Sequence, residues 1–519
     1  MPKKKIELII LGPLIAYSLY CSLIVGPSWD EFYHYKNGEN IFKYIFSFGT
    51  RDYNSANFIY HFGLYDFLST FFSKNFTKNY LIHSHHIFNL TFSILSVFGV
   101  YQVTKILFNS NIGKIAFIIC FLNPIYFGHF SINPKDTIIA FCYIWIFCIS
   151  LKYSNYPKKN KYLFYLTLLF SLGLGIRLTF IVSLLPIFLV ILFKLLLNKK
   201  NFFKYFSKLI LDLFLVIFFS FIITVLFWPD THSNLFKLPF TLTKNYFLTF
   251  MNSSFGLPIG LLNGDFYLTS NTPKSYLFTL LLYKLPIYVL FSFFFIPFIF
   301  FNKKIIKNKN IKFINFCYLL LQIIFPLIII ILIKPGLNDG FRYFLYLIPL
   351  FMILSSIGIY YLFTLRLILF KTIIIVLFIF NIFIFLKLSP YQYIFVNNLN
   401  GKFSNNLNKF ENDYWGTSIK ELLLKAKKNS FFEENKIYHI STCGVNNQII
   451  KYYLNKEFNF EYKFVNSNEM YDYMIFVNRV DTTLNKVNLN NANTCYDNFF
   501  RSDIIKVERN GLPIAFISN

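Results

Sequence analysis

Pro27-Ser28-Trp29-Asp30-Glu31-Phe32-Tyr33-His34-Tyr35 follows directly on an apolar run from Ile6 to Gly26. That run is long enough to cross a bilayer, which takes about 20 apolar residues in a helix. Asp30 and Glu31 therefore stand where a membrane helix meets water, among aromatic rings of the kind that favour the headgroup zone. Carboxylates in such a place are either idle surface charge or the reactive groups of a membrane enzyme. The rest of the chain bears on the choice.

Outward from this corner, further apolar runs lie at roughly 87–108, 113–131, 136–153, 162–176, 178–197, 208–228, 285–302, 313–333, 343–363 and 368–388, each about the length of a span. With the first run they predict a polytopic α-helical membrane protein of about eleven spans. The chain is 519 residues long and 55% hydrophobic, and the apolar residues are concentrated in these runs. The stretch between the first two runs is mixed polar and aromatic. Segments Ile41–Phe48 and Phe58–Phe72 read as helices lying in the membrane interface, and Tyr276–Leu282 in a second long outer loop reads the same way. Neither an internal repeat nor a Walker loop, GxGxxG motif or zinc-spaced cysteine set occurs.

The net charge of +26 invites a nucleic-acid reading, but position argues against it. Residues 390–519 carry 15 Lys/Arg and 13 Asp/Glu, so nearly all of the excess belongs to the membrane part. There the basic residues cluster in short loops, such as Lys158, Lys159 and Lys161, or Lys303, Lys304 and Lys307. Counted from a basic start, Lys3-Lys4-Lys5, these loops fall on one side, the positive-inside pattern. The expected topology is an uncleaved first anchor with its N-terminus in the cytoplasm and the tail outside. Of eleven acidic residues before position 390, only Glu7 and Asp212 fall on the inner side; Asp30, Glu31, Glu39, Asp52, Asp66, Asp136, Asp230, Asp265 and Asp339 fall outside. Acids do little to set topology, so this bias points to a site built on the outer face.

Residues 1–389 thus read as the membrane module and 390–519 as a small soluble α/β domain. Helices are expected at Ser418–Lys428 and Asn446–Leu454, and strands at Lys436–Thr442 and Tyr471–Asn478. A hairpin is expected around Asn510-Gly511, a strong turn signal. Of the seven cysteines, five lie in apolar runs and read as small hydrophobes. Cys443 and Cys495 lie in the polar tail, where they can pair if the tail is outside the cytosol or stay as thiols.

Five stretches in order along the chain resemble the GT-C membrane glycosyltransferases, the group of the protein O-mannosyltransferases and lipid A aminoarabinose transferases. The acidic pair after the first span looks like their first outer loop. Gly128-His129-Phe130-Ser131-Ile132-Asn133-Pro134-Lys135-Asp136 resembles an Asn-Pro-Lys-Asp segment before the fourth span, and Gly173-Leu174-Gly175-Ile176-Arg177 a Gly-x-x-x-Arg turn. Asn338-Asp339-Gly340-Phe341-Arg342-Tyr343-Phe344-Leu345-Tyr346 is similar to an Asp-Gly-x-Arg-His-Phe-Leu-Phe stretch, with Tyr343 where His is expected. Pro390-Tyr391-Gln392-Tyr393 with Asp413-Tyr414-Trp415-Gly416 resembles the opening of the soluble tail. The resemblance implies a sugar donor carried on a polyprenyl phosphate in a bacterial inner membrane, inversion at the anomeric carbon, and a lipid, glycan or protein acceptor.

The residues fit that chemistry. Transfer to a hydroxyl needs a base, and Asp30 is the candidate; on the pair alone it would read as a solvated loop acid. Glu31 is a second candidate, to position the acceptor or help hold a metal. A divalent cation at Asp30, Glu31 and Asp136 is permitted, not demanded. Lys135, Arg177, Arg342 and Lys284 stand at outer span ends against the topological bias, either as cations for the donor phosphate or as snorkelling headgroup contacts. Asp136 orients Lys135, binds a cation or caps the helix after it. Asp339 is read as supporting, and His129, near Asp136, as structural. A phosphate acceptor would need no strong base and would leave Asp30 a positioning role. The rival readings are an envelope polysaccharide ligase or polymerase, and a lipid-linked-sugar transporter or flippase. A transporter would put ionisable groups near the midplane, whereas here they gather at span ends.

Overall fold

The protein was analysed as a computed structural model that describes residues 3–53, 63–155, 160–196, 202–251, 257–301, 313–333, 335–481, 489–501 and 505–518. Helices occupy every position where the sequence predicts a span, but not all are unbroken. Among the described residues six are long and apolar enough to cross a membrane: Leu81–Leu107, Asp136–Asn155, Phe206–Leu226, Phe313–Ile333, Leu347–Thr364 and Ile368–Lys387. A bent pair, Tyr276–Lys284 and Ile287–Ile299, turning by 111°, would make seven. The remaining four expected spans are shorter apolar helices, so among the described residues six or seven of the eleven reach spanning length by this measure.

The breaks have local causes. The run 113–131 stops as Ser110–Phe121 and restarts as Pro124–Gly128, because Asn123 accepts the Tyr126 N–H at 3.0 Å as a cap and Pro124 has no N–H to continue the ladder. Pro186 and Pro297 stand just inside Leu185–Leu196 and Ile296–Phe301, the second pieces of two other broken runs.

Asp136–Asn155 and Leu347–Thr364 are each 78% buried over their apolar window and form the centre of the bundle; Ile368–Lys387, at 22%, lies at its edge. A helix apolar all round belongs in such a centre. At one end of the bundle Glu31–Phe46 crosses Leu64–Ser73, close packed at Gly38, where a Cβ would meet Thr70 Oγ1 at 2.1 Å and the Asp66 carbonyl oxygen at 2.5 Å. The expected helix at 41–48 is thus the end of a longer one. The first residues of the expected 58–72 helix lie outside the described residues.

Beyond residue 390 the chain forms a five-stranded sheet. Its strands are β3 (Ile437–Cys443), β4 (Glu461–Phe464), β5 (Tyr473–Val477), β6 (Ile505–Arg509) and β7 (Leu512–Ser518), in the order β4-β3-β5-β7-β6. β3 runs parallel to β4 and β5; β7 is antiparallel to β5 and β6. Asn510 and Gly511, both at positive φ, make the turn between β6 and β7. Side chains alternate along β5: Ile475 and Val477 join the core shared with the membrane helices, while Met474 and Phe476 pack on Cys443, Cys495 and Phe516. Cys443 and Cys495 are disulfide-bonded. An unpredicted hairpin, β1 (Ile259–Leu262) with β2 (Asp265–Leu268), lies in the second long loop, and β1 packs on Val480.

The sheet unit sits directly on the acidic corner. Trp29 N–H donates to the Trp415 carbonyl at 2.9 Å, and Asn446 Nδ2 to the Trp29 carbonyl at 2.8 Å. Lys420 Nζ donates to the carbonyls of Leu23 and Val25 at 3.0 and 3.3 Å, placing a cation at the C-terminal end of the first helix, where the helix dipole favours it.

Candidate active site

The corner takes its shape from the end of the first helix at Ile24 and the start of the next at Glu31. Ser28 Oγ donates to the Ile132 carbonyl at 2.7 Å, tying this loop to the Asn133-Pro134-Lys135-Asp136 turn. Asp30 is the N-cap residue but makes no side-chain cap bond, which leaves its carboxylate for other partners. Glu31 accepts the Ser28 N–H, which holds the loop just before the helix.

The two acids then part. Asp30 Oδ2 lies 3.1 Å from Lys135 Nζ and 3.2 Å from Arg342 Nη2. Burial alone would raise its carboxyl, but Lys135 and Arg342 outweigh that and hold it well below the usual carboxylate range. Glu31 is buried in the opposite direction, 3.0 Å from His86 Nε2 and accepting Tyr35 Oη at 3.0 Å. It does not line the cavity described below.

Arg342 is the hub. It pairs with Asp30, with Asp339 Oδ2 at 2.8 Å and with Asp136 Oδ2 at 3.7 Å, and its guanidinium lies 4.4 Å from the Trp415 ring. The turn that aims it has Asp339 and Gly340 both at positive φ, a conformation short polar residues and glycine adopt most readily. Asp136 also binds Arg177 Nη2 at 2.7 Å. It is not the cap of its helix: Asn133 Oδ1 accepts the N–H groups of Asp136 and Lys135, at 2.9 and 3.2 Å. Arg177 leaves the helix Lys161–Ile176 in extended conformation, its N–H still bonded to the Gly173 carbonyl at 3.1 Å. Tyr343, the departure from the expected His, lies under Arg177 and Arg342, with centroid distances of 4.8 and 5.3 Å.

Two expected site residues stand apart. Lys284 Nζ is buried 4.9 Å above the Phe410 ring with no hydrogen-bond partner among the described residues, and does not line the main cavity. His129 bridges the Ile125 carbonyl (Nδ1, 2.7 Å) and Tyr414 Oη (Nε2, 3.0 Å), a packing role. Asp30, Glu31 and Asp136 do not fit a shared metal ion. Glu31 faces His86, the other two are paired with cations, and the three do not cluster at ligand spacing among the described residues.

Residues that the sequence reading missed come from the C-terminal unit. Arg479 Nη2 binds Asp339 Oδ1 at 2.5 Å, its Nε lies 3.6 Å from Glu411 Oε1, and its guanidinium is 5.1 Å from the Trp29 ring. An arginine directly after an apolar strand was the one available signal, and nothing in the sequence says what that strand end faces.

The charges around Arg342 close one end of a cavity of about 630 Å³. Asp30, Lys135, Asp136, Arg177, Arg342 and Arg479 line that end. From there the cavity runs along Phe325, Pro326, Ile329, Ile330 and Ile333, one side of an apolar membrane helix. One end can neutralise an anion and the other can cover a hydrocarbon chain.

Comparison with known proteins agrees with this architecture. Residues 65–228, about a third of the chain, match the family model for dolichyl-phosphate-mannose-protein mannosyltransferase. The comparison with curated proteins finds no match. Among solved structures, ArnT from Cupriavidus metallidurans bound to undecaprenyl phosphate is similar over 98% of both chains, with a TM-score of 0.52 and 10% identity. ArnT from the same organism in the apo state is similar over 69% of this chain and 60% of its own, under two thirds of its length, with a TM-score of 0.47 and 12% identity. The archaeal oligosaccharyltransferase AglB from Archaeoglobus fulgidus, in complex with an inhibitory peptide and a dolichol-phosphate, is similar over 90% of this chain and 69% of its own, with a TM-score of 0.46 and 10% identity. At such identities a structural likeness speaks for the fold. The chain is an integral membrane protein with a GT-C-like fold, and residues 65–228 are similar to the mannosyltransferase family.

Proposed function

We propose that the chain is an inverting glycosyltransferase that moves a sugar from a polyprenyl-phosphate donor to an acceptor on the outer face of a bacterial inner membrane. In this reading the N-terminus is cytoplasmic and residues 390–519 are extracytoplasmic. The observation that carries it is the cavity, with cations at one end and an apolar wall at the other. That is the chemistry of a lipid phosphate, and undecaprenyl phosphate is what the ArnT structure was solved with.

The donor phosphate would lie among Lys135, Arg177 and Arg342, with its isoprenoid against Ile329, Ile330 and Ile333. To do so it must compete with Asp30 for Lys135 and Arg342. That competition frees the Asp30 carboxylate and restores its basicity as the donor binds. Asp30 then takes the proton of an acceptor hydroxyl as its oxygen attacks the anomeric carbon. The bond from that carbon to the phosphate oxygen breaks on the opposite face, and the lipid phosphate leaves with the electron pair, its charge met by the cations.

A second reading has support from one observation: two cations hold Asp30 strongly anionic. An acceptor that is itself a phosphate needs no base, and Asp30 would then orient Lys135 and Arg342. The test is to reconstitute the protein in vesicles with a panel of polyprenyl-phosphate sugars and follow which is consumed, with hydroxyl and phosphate acceptors in parallel. Folded protein that consumes none of them overturns the proposal.

A further inference from the structure

The charge cluster does not end in the membrane half. The Asp339 carboxylate is shared, Oδ2 with Arg342 Nη1 at 2.8 Å and Oδ1 with Arg479 Nη2 at 2.5 Å, so one acid joins guanidiniums from the two halves of the chain. Arg479 is only 4% exposed. Its backbone is clamped on several sides. The Arg479 N–H donates to the Val477 carbonyl at 2.9 Å, and the Arg479 carbonyl accepts the N–H of Cys495, itself disulfide-bonded to Cys443. The next residue, Val480, bridges to Thr494 and packs on Ile259 and Leu261 of β1.

Burying a guanidinium is costly unless its hydrogen bonds are met. Among the described residues the side chain has one strong partner, Asp339, and its Nε has no hydrogen bond, with Glu411 at 3.6 Å. Such a group contributes little to holding the domain in place that an apolar side chain would not contribute better. It does hold the carboxylate that makes the shortest ion pair with Arg342. Without Arg479, Asp339 would have Arg342 as its sole ion-pair partner among the described residues and would draw the guanidinium away from Asp30.

We propose that Arg479 is a positioning residue for the transfer reaction: acting through Asp339, it sets the orientation of Arg342 at the phosphate end of the cavity, so the C-terminal sheet is a working part of the site. The proposal rests on the glycosyltransferase reading above.

The test uses the full chain in detergent or vesicles, farnesyl phosphate as the binding probe, and turnover of whichever polyprenyl-phosphate sugar the wild type consumes. Arg479→Ala is expected to weaken farnesyl phosphate binding about tenfold and to lower kcat, with partial rescue by added guanidinium and none by ammonium. Arg479→Lys keeps the charge but not the fork and is expected to show a similar loss while its C-terminal unit stays protease-resistant. In an Arg342→Ala background, removing Arg479 as well should cost nothing further, since it acts through Arg342. Additive losses, or an Arg479→Ala variant that binds and turns over like the wild type, overturn the positioning role. If Arg342→Ala itself binds farnesyl phosphate normally, the functional reading fails and this proposal with it. If Arg342→Ala loses binding and Arg479→Ala does not, only this proposal fails.

Discussion

Asp30 and Glu31 are adjacent in sequence and have opposite surroundings. At the start of a helix successive side chains diverge by about 100°, so one can face the cavity only if the other faces the bundle. For Asp30→Asn, which keeps the shape and loses the charge, turnover onto a hydroxyl acceptor is expected to fall by about 10²–10⁴-fold. Turnover onto a phosphate acceptor should fall much less. The two acceptors assayed side by side decide between base and positioning roles, and full-speed hydroxyl transfer by the variant would rule out the base. Glu31→Gln should act differently. It weakens charge-assisted bonds to Ser28 N–H, Tyr35 and His86, so thermal stability should drop by roughly 1–3 kcal/mol while turnover per folded molecule stays near wild type. Sequence alone marked the pair as the corner of the site, because its place after the first apolar run is a matter of pattern. Asp30 was the expected base and Glu31 a second candidate; that Glu31 turns away from the cavity depends on where the helix begins.

The helices were legible as hydrophobic runs, and their interruptions only as isolated Asn and Pro residues whose effect depends on register. Asn123-Pro124 sits inside a run that counts as one span by hydropathy and is two pieces in the fold. The crossing of Glu31–Phe46 over Leu64–Ser73 was not legible at all, since it depends on Gly38 having no Cβ. A methyl there meets the Asp66 backbone, which cannot swing aside like a flexible side chain. Gly38→Ala should therefore force the two helices apart and cost about 1–3 kcal/mol, as overpacking does. Because Asp66 also holds His34 (Nδ1, 2.8 Å) and Asn37 (Nδ2, 2.7 Å), the shift would be felt beside the site. Limited proteolysis within residues 31–73 together with thermal melting checks this; an unchanged melting curve would mean that the crossing is looser than the packing distances say.

At the scale of the whole molecule, the membrane bundle and the sheet unit share one charge network, and its outer member is Glu411. That residue is fully buried beside Arg479 and near Asp339. Burial pushes its carboxyl up to about 7, helped by the Asp339 charge and opposed by Arg479. An unfolded glutamate titrates near 4.3. Between these values the folded chain keeps a proton that the unfolded chain has released, so stability falls as pH rises through this window and levels off above it. At about 1.4 kcal/mol for each unit the full effect is at most roughly 4 kcal/mol. Glu411→Gln removes the titration and should flatten this part of the melting-temperature profile between pH 5 and pH 8, as well as raising the melting point at the alkaline end. Asp30, whose carboxyl is shifted the other way, loses its ion pairs only in strong acid and does not contribute in this range. If wild type and Glu411→Gln melt in parallel at every pH, the Glu411 carboxyl is ionised in the folded chain and Arg479 holds it as a full ion pair. The sheet unit would then be anchored by charge at its innermost point, and raising the salt concentration would loosen it only weakly because the pair is buried.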